Sequence, residues 1–182
     1  MQTDVNVRSV RGRLPVRYRF NPFVRSFMIA ITLTLAIYSV YFLTRYVNQD
    51  TPLIAKLIPI MILFVALNSL VRHVTSLNSL IFAPECLWLR FILKPSIAIE
   101  YKNIESLKLQ RTLMYYLFLT YRDSKGNKRV YKTSAGFPKM LEIMYNIAEM
   151  SPQIVLDDHL AKVIGYLKEV NQTLEVNGNN EL

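Results

Sequence analysis

Apolar residues follow different patterns along the chain, and each pattern predicts a different kind of structure. Residues 26–44 are nineteen consecutive residues without a charge, and a second apolar run follows at 52–71. The hydrocarbon core of a bilayer is about 30 Å thick and takes about 20 apolar residues in a helix that rises 1.5 Å per residue. The two runs therefore predict a transmembrane helical hairpin at 26–71, with only residues 45–51 between its spans.

Beyond Thr75 the apolar runs become short, and several of them alternate with polar residues. Such alternation, with many β-branched and aromatic side chains, predicts half-buried strands. A loop that contains Gly126 and Asn127 joins two of these runs and predicts a β-hairpin. We expect six strands, at residues 79–83, 87–93, 97–101, 104–109, 114–121 and 128–133.

A spacing of three and four residues between apolar positions returns near the C-terminus. It predicts a helix with Pro138 in its first turn and an end at Ser151, and its apolar stripe consists of Met140, Leu141, Met144, Tyr145, Ile147 and Ala148. A second amphipathic helix is expected within 153–176, starting at Asp157 or Asp158, whose carboxylates suit an N-cap. The tail at 177–182 is expected to be disordered.

Charge is distributed unevenly about the predicted spans. Residues 1–25 carry six arginines against Asp4, and they show prolines but no apolar periodicity. We interpret this stretch as a basic N-terminal segment that is extended or disordered. Positively charged flanks remain in the cytoplasm, so both termini are expected there. The arginines serve either as this topology signal alone or also as juxtamembrane lipid contacts, at Arg17, Arg19 and Arg25.

Side chains that catalyse reactions or bind metals form no recognisable cluster in the sequence. His73 and His159 are far apart, Cys86 has no neighbouring base, and the glycines form no phosphate-binding loop. The stretch Asp157-Asp158-His159 looks like a ligand cluster, but adjacent residues at a helix start do not face one site. We therefore predict no catalytic, cofactor-binding or metal site, and a non-enzymatic protein without a small-molecule substrate.

The order of two spans, about six strands and a helix resembles the small bacterial membrane proteins that carry a pleckstrin-homology-like (bacterial PH) domain. The resemblance covers residues 75–150 and is carried by SIAIEYKNIESLKLQR at 96–111, LMYYLFLTYRDSKGNKRVYKT at 113–133 and FPKMLEIMYNIAEM at 137–150. It implies a membrane α-helical hairpin plus an α+β cytoplasmic domain, an antiparallel partly open β-barrel with a C-terminal capping helix. It also implies the bacterial inner membrane. That fold has seven strands, so the first or the last strand remains unassigned.

One charged cluster has a pattern typical of a binding surface. Five basic side chains surround the predicted β-hairpin, with Asp123 as the only acid: Arg122, Lys125, Lys128, Arg129 and Lys132. By analogy with PH domains that bind phosphoinositides, they indicate an anionic-lipid or partner contact, and otherwise a solvated edge. Residues 72–182 carry fourteen basic and eleven acidic side chains without a basic helix, so nucleic acid is not an expected partner.

Three functions follow from these patterns. The first is an accessory or scaffold protein that presents a PH-like recognition domain at the cytoplasmic face of the inner membrane, bound to membrane lipid and to a protein partner or a second copy. The first alternative is a sensor of anionic lipid that uses the basic hairpin 122–132. The second alternative is an oligomeric transport or pore component, whose spans offer only hydroxyl and amide groups: Thr32, Thr34, Ser39, Asn68 and Ser69.

Overall fold

The computed structural model describes the backbone of residues 7–111 and 114–178 and the side chains up to Val170. In chain order its elements are β1 (Val16–Arg19), α1 (Pro22–Tyr46), α2 (Leu53–Thr75), β2 (Ser79–Phe82), β3 (Cys86–Arg90), β4 (Ile97–Glu100), β5 (Ile104–Arg111), β6 (Tyr115–Arg122), β7 (Lys128–Ser134), α3 (Met140–Met150), β8 (Val155–Leu156) and α4 (Asp158–Gly178). The four predicted helices are confirmed, and a strand lies at each of the six predicted positions. The predicted strand 87–93 is too long, however, because β3 ends at Arg90 and residues 91–93 belong to the connection that follows it. β1 and β8 are additional to the prediction.

Contacts within the chain divide it into two compact units. One unit comprises the described residues up to Tyr18, Ser79–Leu89 and those from Ser96 onward, and we call it the sheet unit. The other comprises Arg19–Asn78 and Arg90–Pro95, and we call it the hairpin unit. The sheet unit is therefore discontinuous in sequence, because the whole helical hairpin is inserted between β1 and β2.

The hairpin unit contains two helices that are long and apolar enough to cross a membrane. α1 begins at Pro22, behind an N-cap in which Asn21 Oδ1 accepts hydrogen bonds from the backbone N–H groups of Phe23 (3.0 Å) and Val24 (3.4 Å). α2 contains Pro59, and residues 47–52 connect the helices. Only 11% of the most apolar 18-residue window of each helix is buried, so nearly all of its apolar surface faces outward.

Small residues form the contact between α1 and α2. The buried positions of α1 include Thr32, Ala36 and Ser39, and those of α2 are Pro59 and Ala66. Small side chains allow the backbones of two membrane helices to approach closely. The hydroxyls of Thr32 and Ser39 bond to carbonyls of their own helix, those of Met28 (2.9 Å) and Leu35 (2.8 Å).

The strands form two four-stranded sheets, in the orders β1-β2-β3-β4 and β7-β6-β5-β8. β5, β6 and β7 are antiparallel neighbours, whereas the two-residue β8 is parallel to β5. The described strands are not a closed barrel, so the predicted barrel is supported only as an α+β arrangement of antiparallel strands. The inward faces of both sheets supply the core with Phe82, Leu87, Leu89, Ile99, Ile104 and Leu107, each under 2% exposed.

The described part of the basic N-terminal segment begins at Val7 and contains an extended strand, one of the two predicted alternatives, and it is partly buried. Val7 and Val10 are buried, and the segment continues into β1, which neighbours β2. β1 is only four residues long, and its partner strand lies sixty residues later in the chain. The segment is therefore ordered by tertiary contacts, and such contacts leave no periodic pattern in the local sequence.

Helices α3 and α4 cover the sheet unit with their apolar faces. The stripe of α3 is buried as predicted except at Leu141, which is 44% exposed, and it also includes the buried polar residue Asn146. Pro138 precedes α3 instead of lying in its first turn. α4 buries Leu160, Ile164 and Leu167.

One C-terminal prediction needs correction, and the start of α4 agrees with one of its two predicted positions. α4 runs to Gly178, so residues 177 and 178 of the predicted tail are helical, and the remainder of 177–182 lies outside the described residues. Helix ends often extend one or two residues beyond their apolar pattern. The N-cap of α4 is Asp157, since Asp157 Oδ1 accepts a hydrogen bond from Leu160 N–H at 2.7 Å. Its Oδ2 accepts another from Leu109 N–H in β5, at 2.5 Å.

Candidate functional site

The predicted basic hairpin is formed by β6, β7 and the turn between them. Asp123 organises this turn, because its Oδ1 accepts hydrogen bonds from the backbone N–H groups of Lys125 (3.0 Å) and Asn127 (2.9 Å). Gly126 supplies the left-handed backbone conformation, with φ of +79°, that closes the turn. Arg122 and Lys128 are direct cross-strand partners in the register. The five predicted basic residues are therefore brought together on one hairpin.

Two acids neutralise part of this basic hairpin. Glu105, in β5, forms ion pairs with Arg122 (2.6 Å) and Lys128 (3.2 Å). Asp123 pairs with Arg129 at 3.2 Å. The cluster therefore contains five cations and two anions and has a net charge of about +3. Because it is exposed, each of these ion pairs contributes only about 0–1 kcal/mol to stability. Glu105 could not be assigned to this cluster from the sequence, because it is seventeen residues from Arg122.

The other two cations have different surroundings. Lys132 Nζ lies 4.1 Å from the ring centroid of Tyr116 and 5.3 Å from that of Phe118, which is cation–π geometry. Lys125 is exposed at the turn, and the described residues record no ion pair for its ammonium group. These two lysines are the cations that retain most freedom to meet an external anion.

The pKa values of the two acids agree with this arrangement. Hydrogen bonds from Lys128 and then Arg122 lower the pKa of Glu105. Desolvation raises the pKa of Asp123, but the hydrogen bonds from Asn127, Arg129 and Lys125 outweigh it and lower that pKa. Both carboxylates therefore remain ionised at neutral pH and oppose the binding of an anion.

The three arginines predicted as juxtamembrane lipid contacts have two different environments. Arg17 and Arg19 are exposed on β1, on the opposite face from the buried Tyr18. Arg25, in contrast, is only 5% exposed. Its Nη1 donates to Leu77 O (3.2 Å) and Asn78 Oδ1 (3.3 Å), and its Nη2 donates to Ser76 O and Ser76 Oγ (both 3.1 Å) and to His73 O.

These contacts give Arg25 a role in the hairpin itself. His73 O is one of the carbonyls in the last turn of α2, which have no partner inside the helix. A cation at this end also interacts favourably with the helix dipole. Arg25 therefore joins the start of α1 to the end of α2, and its guanidinium is occupied by these acceptors instead of facing lipid.

The N-terminal segment binds to α3 through Asn146, a side chain that is fully buried. Its Oδ1 accepts a hydrogen bond from Val10 N–H (2.9 Å), and its Nδ2 donates to Arg8 O (3.1 Å) and Glu142 O (2.7 Å). Tyr18 Oη donates to the Glu142 carboxylate at 2.8 Å. Burial and then this carboxylate raise the pKa of Tyr18, so the tyrosine stays protonated and keeps the hydrogen bond.

An open apolar groove of about 690 Å³ lies between α3 and α4. Its walls are Leu141, Asp158, His159, Lys162, Val163, Tyr166 and Leu167. Leu141 and Tyr166 are 44% and 65% exposed. The groove could not be predicted, because the spacing of Leu141 in the sequence is that of a buried residue.

No group of three or more potential metal ligands occurs among the residues that the structure describes. Asp157 and His159, which look like a ligand pair in the sequence, have separate surroundings: Asp157 caps α4, whereas His159 lines the groove. Comparison with protein families, curated proteins and solved structures finds no match for this chain.

Proposed function

We propose that this protein is a non-enzymatic membrane-anchored scaffold, which presents a PH-like recognition domain at the cytoplasmic face of a bacterial inner membrane. The hairpin α1–α2 is its anchor, and the sheet unit is the domain that it presents. The partner is a second protein, or another copy of this chain, that presents an apolar side chain. The domain also contacts membrane lipid.

The insertion of the hairpin between β1 and β2 is the observation that carries this proposal. Two residues, 20–21, connect β1 to α1, and three residues, 76–78, connect α2 to β2. At about 3.5 Å per extended residue these connections reach only about 7–11 Å. The sheet unit is therefore tethered to the hairpin by two short connections, which is what a membrane-anchored domain requires.

The exposed surface of the two helices supports a membrane anchor. Phe64 is 72% exposed and Ile54 is 73% exposed, and most other large apolar side chains of α1 and α2 are also exposed. Apolar patches beyond a few hundred Å² are rare on soluble monomers. The six arginines of residues 1–25 favour the cytoplasm for the N-terminal flank, and a helical hairpin returns the C-terminal flank to the same side.

The strand order supports a PH-like domain. With β1, seven strands precede α3. Six of them were predicted from the sequence, and β1 supplies the seventh strand that the PH fold requires. They are distributed as β1–β4 in one sheet and β5–β7 in the other, followed by an amphipathic helix. We infer from this order that β1 is the first strand of the PH-like domain and that the membrane hairpin occupies the β1–β2 connection.

The groove between α3 and α4 is the surface at which the protein partner is expected. A photo-crosslinking amino acid at Tyr166, incorporated in the full-length protein in native membranes, should form a discrete adduct. A second substitution in the groove, Leu141→Asp, should lower its yield about tenfold, the equivalent of 1.4 kcal/mol. An adduct of twice the chain mass identifies a second copy, and any other mass identifies a different protein.

Tyr115 provides a matched control, since it is an exposed tyrosine of the sheet unit at 44% exposure. The crosslinker at Tyr115 should give no adduct that Leu141→Asp removes. Equal adducts at both positions, or an adduct at Tyr166 that survives Leu141→Asp, contradict partner binding in the groove.

The alternative function, an anionic-lipid sensor, is favoured by the exposed cations of the basic hairpin. Replacing Lys125, Lys128, Arg129 and Lys132 by Ser should reduce the phosphatidylglycerol retained by the detergent-solubilised protein by at least tenfold, because each cation near anionic lipid contributes about 1 kcal/mol and 1.4 kcal/mol is a factor of ten. Glu105→Gln should increase it, because Arg122 and Lys128 lose their acidic partner. Native mass spectrometry counts the retained lipid.

The control removes the same charge from elsewhere on the sheet unit, by replacing Lys102, Lys139, Lys162 and Lys168 with Ser. If this variant loses as much lipid as the first, the basic hairpin has no specific role. A transport pore receives no support from the hairpin, because Thr32 and Ser39 are buried and bond to their own helix.

A further inference from the structure

The connection between β3 and β4 belongs to the hairpin unit, although the two strands are neighbours in one sheet of the sheet unit. The residues concerned are Arg90–Pro95. At the first of these residues, Arg90 O accepts a hydrogen bond from Asn78 N–H at 2.8 Å. The same Asn78 accepts a hydrogen bond from Arg25 through its side chain. The start of this connection is therefore fixed at the base of the hairpin, where α1 begins and α2 ends.

The middle of this connection exposes two large apolar side chains between two cations. Ile92 is 47% exposed and Leu93 is 70% exposed, as much as Leu53 at the start of α2. Arg90 and Lys94 are exposed on either side, and the described residues record no ion pair for them. Apolar residues beside cations are the composition of segments that bind at the membrane interface, where apolar groups enter the acyl boundary and cations contact anionic headgroups.

The distances along the chain bring this connection within reach of the interface. Ile92 and Leu93 follow Arg90 by two and three residues, which is at most about 7–11 Å of backbone. Val71 is an exposed apolar residue in the last turns of α2. One helical turn and three extended residues separate it from Asn78, so the two residues are at most about 16 Å apart along the chain. Each interfacial layer is about 5–7 Å thick. An apolar tip that starts from the base of a spanning hairpin lies close to this layer.

We propose that Ile92 and Leu93 insert into the interfacial layer of the lipid bilayer, with Arg90 and Lys94 at anionic headgroups. The β3–β4 connection is then a third membrane contact, in addition to the two spans. This inference rests on the proposed membrane anchoring, because it requires that α1 and α2 cross the bilayer.

Tryptophan fluorescence of the full-length protein in nanodiscs tests the insertion. The chain has a single tryptophan, Trp88, and Trp88→Phe provides a silent background. In that background, Leu93→Trp, Phe64→Trp and Val155→Trp each introduce one probe at a position that is 70%, 72% and 64% exposed, respectively. The nanodiscs contain either brominated or unbrominated phosphatidylcholine with phosphatidylglycerol, and quenching by bromine reports contact with acyl chains.

The expected result is quenching of the probes at positions 93 and 64 by roughly two-fold or more, with blue-shifted emission, and little quenching at position 155. Quenching at 64 without quenching at 93 overturns the insertion and leaves the anchoring intact. Equal quenching at 93 and 155 also overturns it, because the connection then has no special contact. Absence of quenching at 64 overturns the membrane anchoring itself.

Discussion

Replacement of Arg25 by leucine is expected to destabilise the protein by about 3 kcal/mol, because hydrogen bonds from a charged donor contribute about 1.5–3 kcal/mol. The guanidinium bonds to acceptors of His73, Ser76, Leu77 and Asn78 at the end of α2. In Arg25→Leu these acceptors no longer have the buried guanidinium as a hydrogen-bond donor. For a chain of this length the loss corresponds to a decrease in Tm of roughly 10 °C, which a thermal unfolding scan in mild detergent measures.

Arg17→Leu is the matched control, since it removes the same charge from an exposed position on β1. Its effect should be within about 0.5 kcal/mol. Arg25→Lys should be intermediate, because an ammonium group has three donors and lacks the planar fork of a guanidinium. Similar Tm values for Arg25→Leu and Arg17→Leu would show that the contacts at the hairpin base contribute little.

Asn146→Leu is expected to cost about 2–4 kcal/mol and to release the N-terminal segment from α3. The substitution keeps the shape of the side chain but removes the partner of the buried Val10 N–H and of the partly buried Arg8 C=O. Each such orphaned group costs about 1–3 kcal/mol. The Tm should fall, and trypsin should cleave at Arg8, Arg11 and Arg13 faster than in the parent protein.

Asn103→Leu is the control for this variant, because Asn103 is only half-buried and its side chain makes a single long contact, 3.5 Å from the Glu100 carboxylate. It should change neither the Tm nor the cleavage rate appreciably. A low Tm for Asn146→Leu without faster cleavage near the N-terminus would separate stability from docking and contradict the binding of the segment through this amide.

Strands and helices with a clear apolar period could be predicted from the sequence. In β5, Leu107 and Leu109 alternate with Lys108 and Gln110, and the turn residues Asp123 and Gly126 adopt the conformation that such residues favour. The spans were recognisable because a bilayer requires their length and apolar composition. In each case the signal is contained within one segment, so no knowledge of distant residues was needed.

β1 could not be predicted, because four residues with alternating arginines carry too weak a signal. It becomes a strand only through pairing with β2, on the other side of the helical hairpin. The same limitation applies to Leu141, which has the spacing of a buried residue. Its exposure depends on where α4 packs, and that packing leaves the groove open.

The candidate site residues were affected in a similar way. The basic cluster at 122–132 is local in sequence, so the hairpin turn alone brings its members together. Glu105 neutralises two of them only because β5 pairs with β6. Arg25 is one of six N-terminal arginines in the sequence and has no distinguishing neighbour. Its contacts with the end of α2 exist only because the two helices fold back on each other.

The sequence by itself determined that the chain has two apolar helices of membrane-spanning length, short strands after them and two amphipathic helices, because periodicity and length act within one segment. Only the tertiary structure decided that the hairpin is inserted between two neighbouring strands, that Arg25 caps α2 and that Arg90–Pro95 belong to the hairpin unit. These features depend on hydrogen bonds between residues far apart in the chain. Such pairing is governed by the packing of the whole molecule.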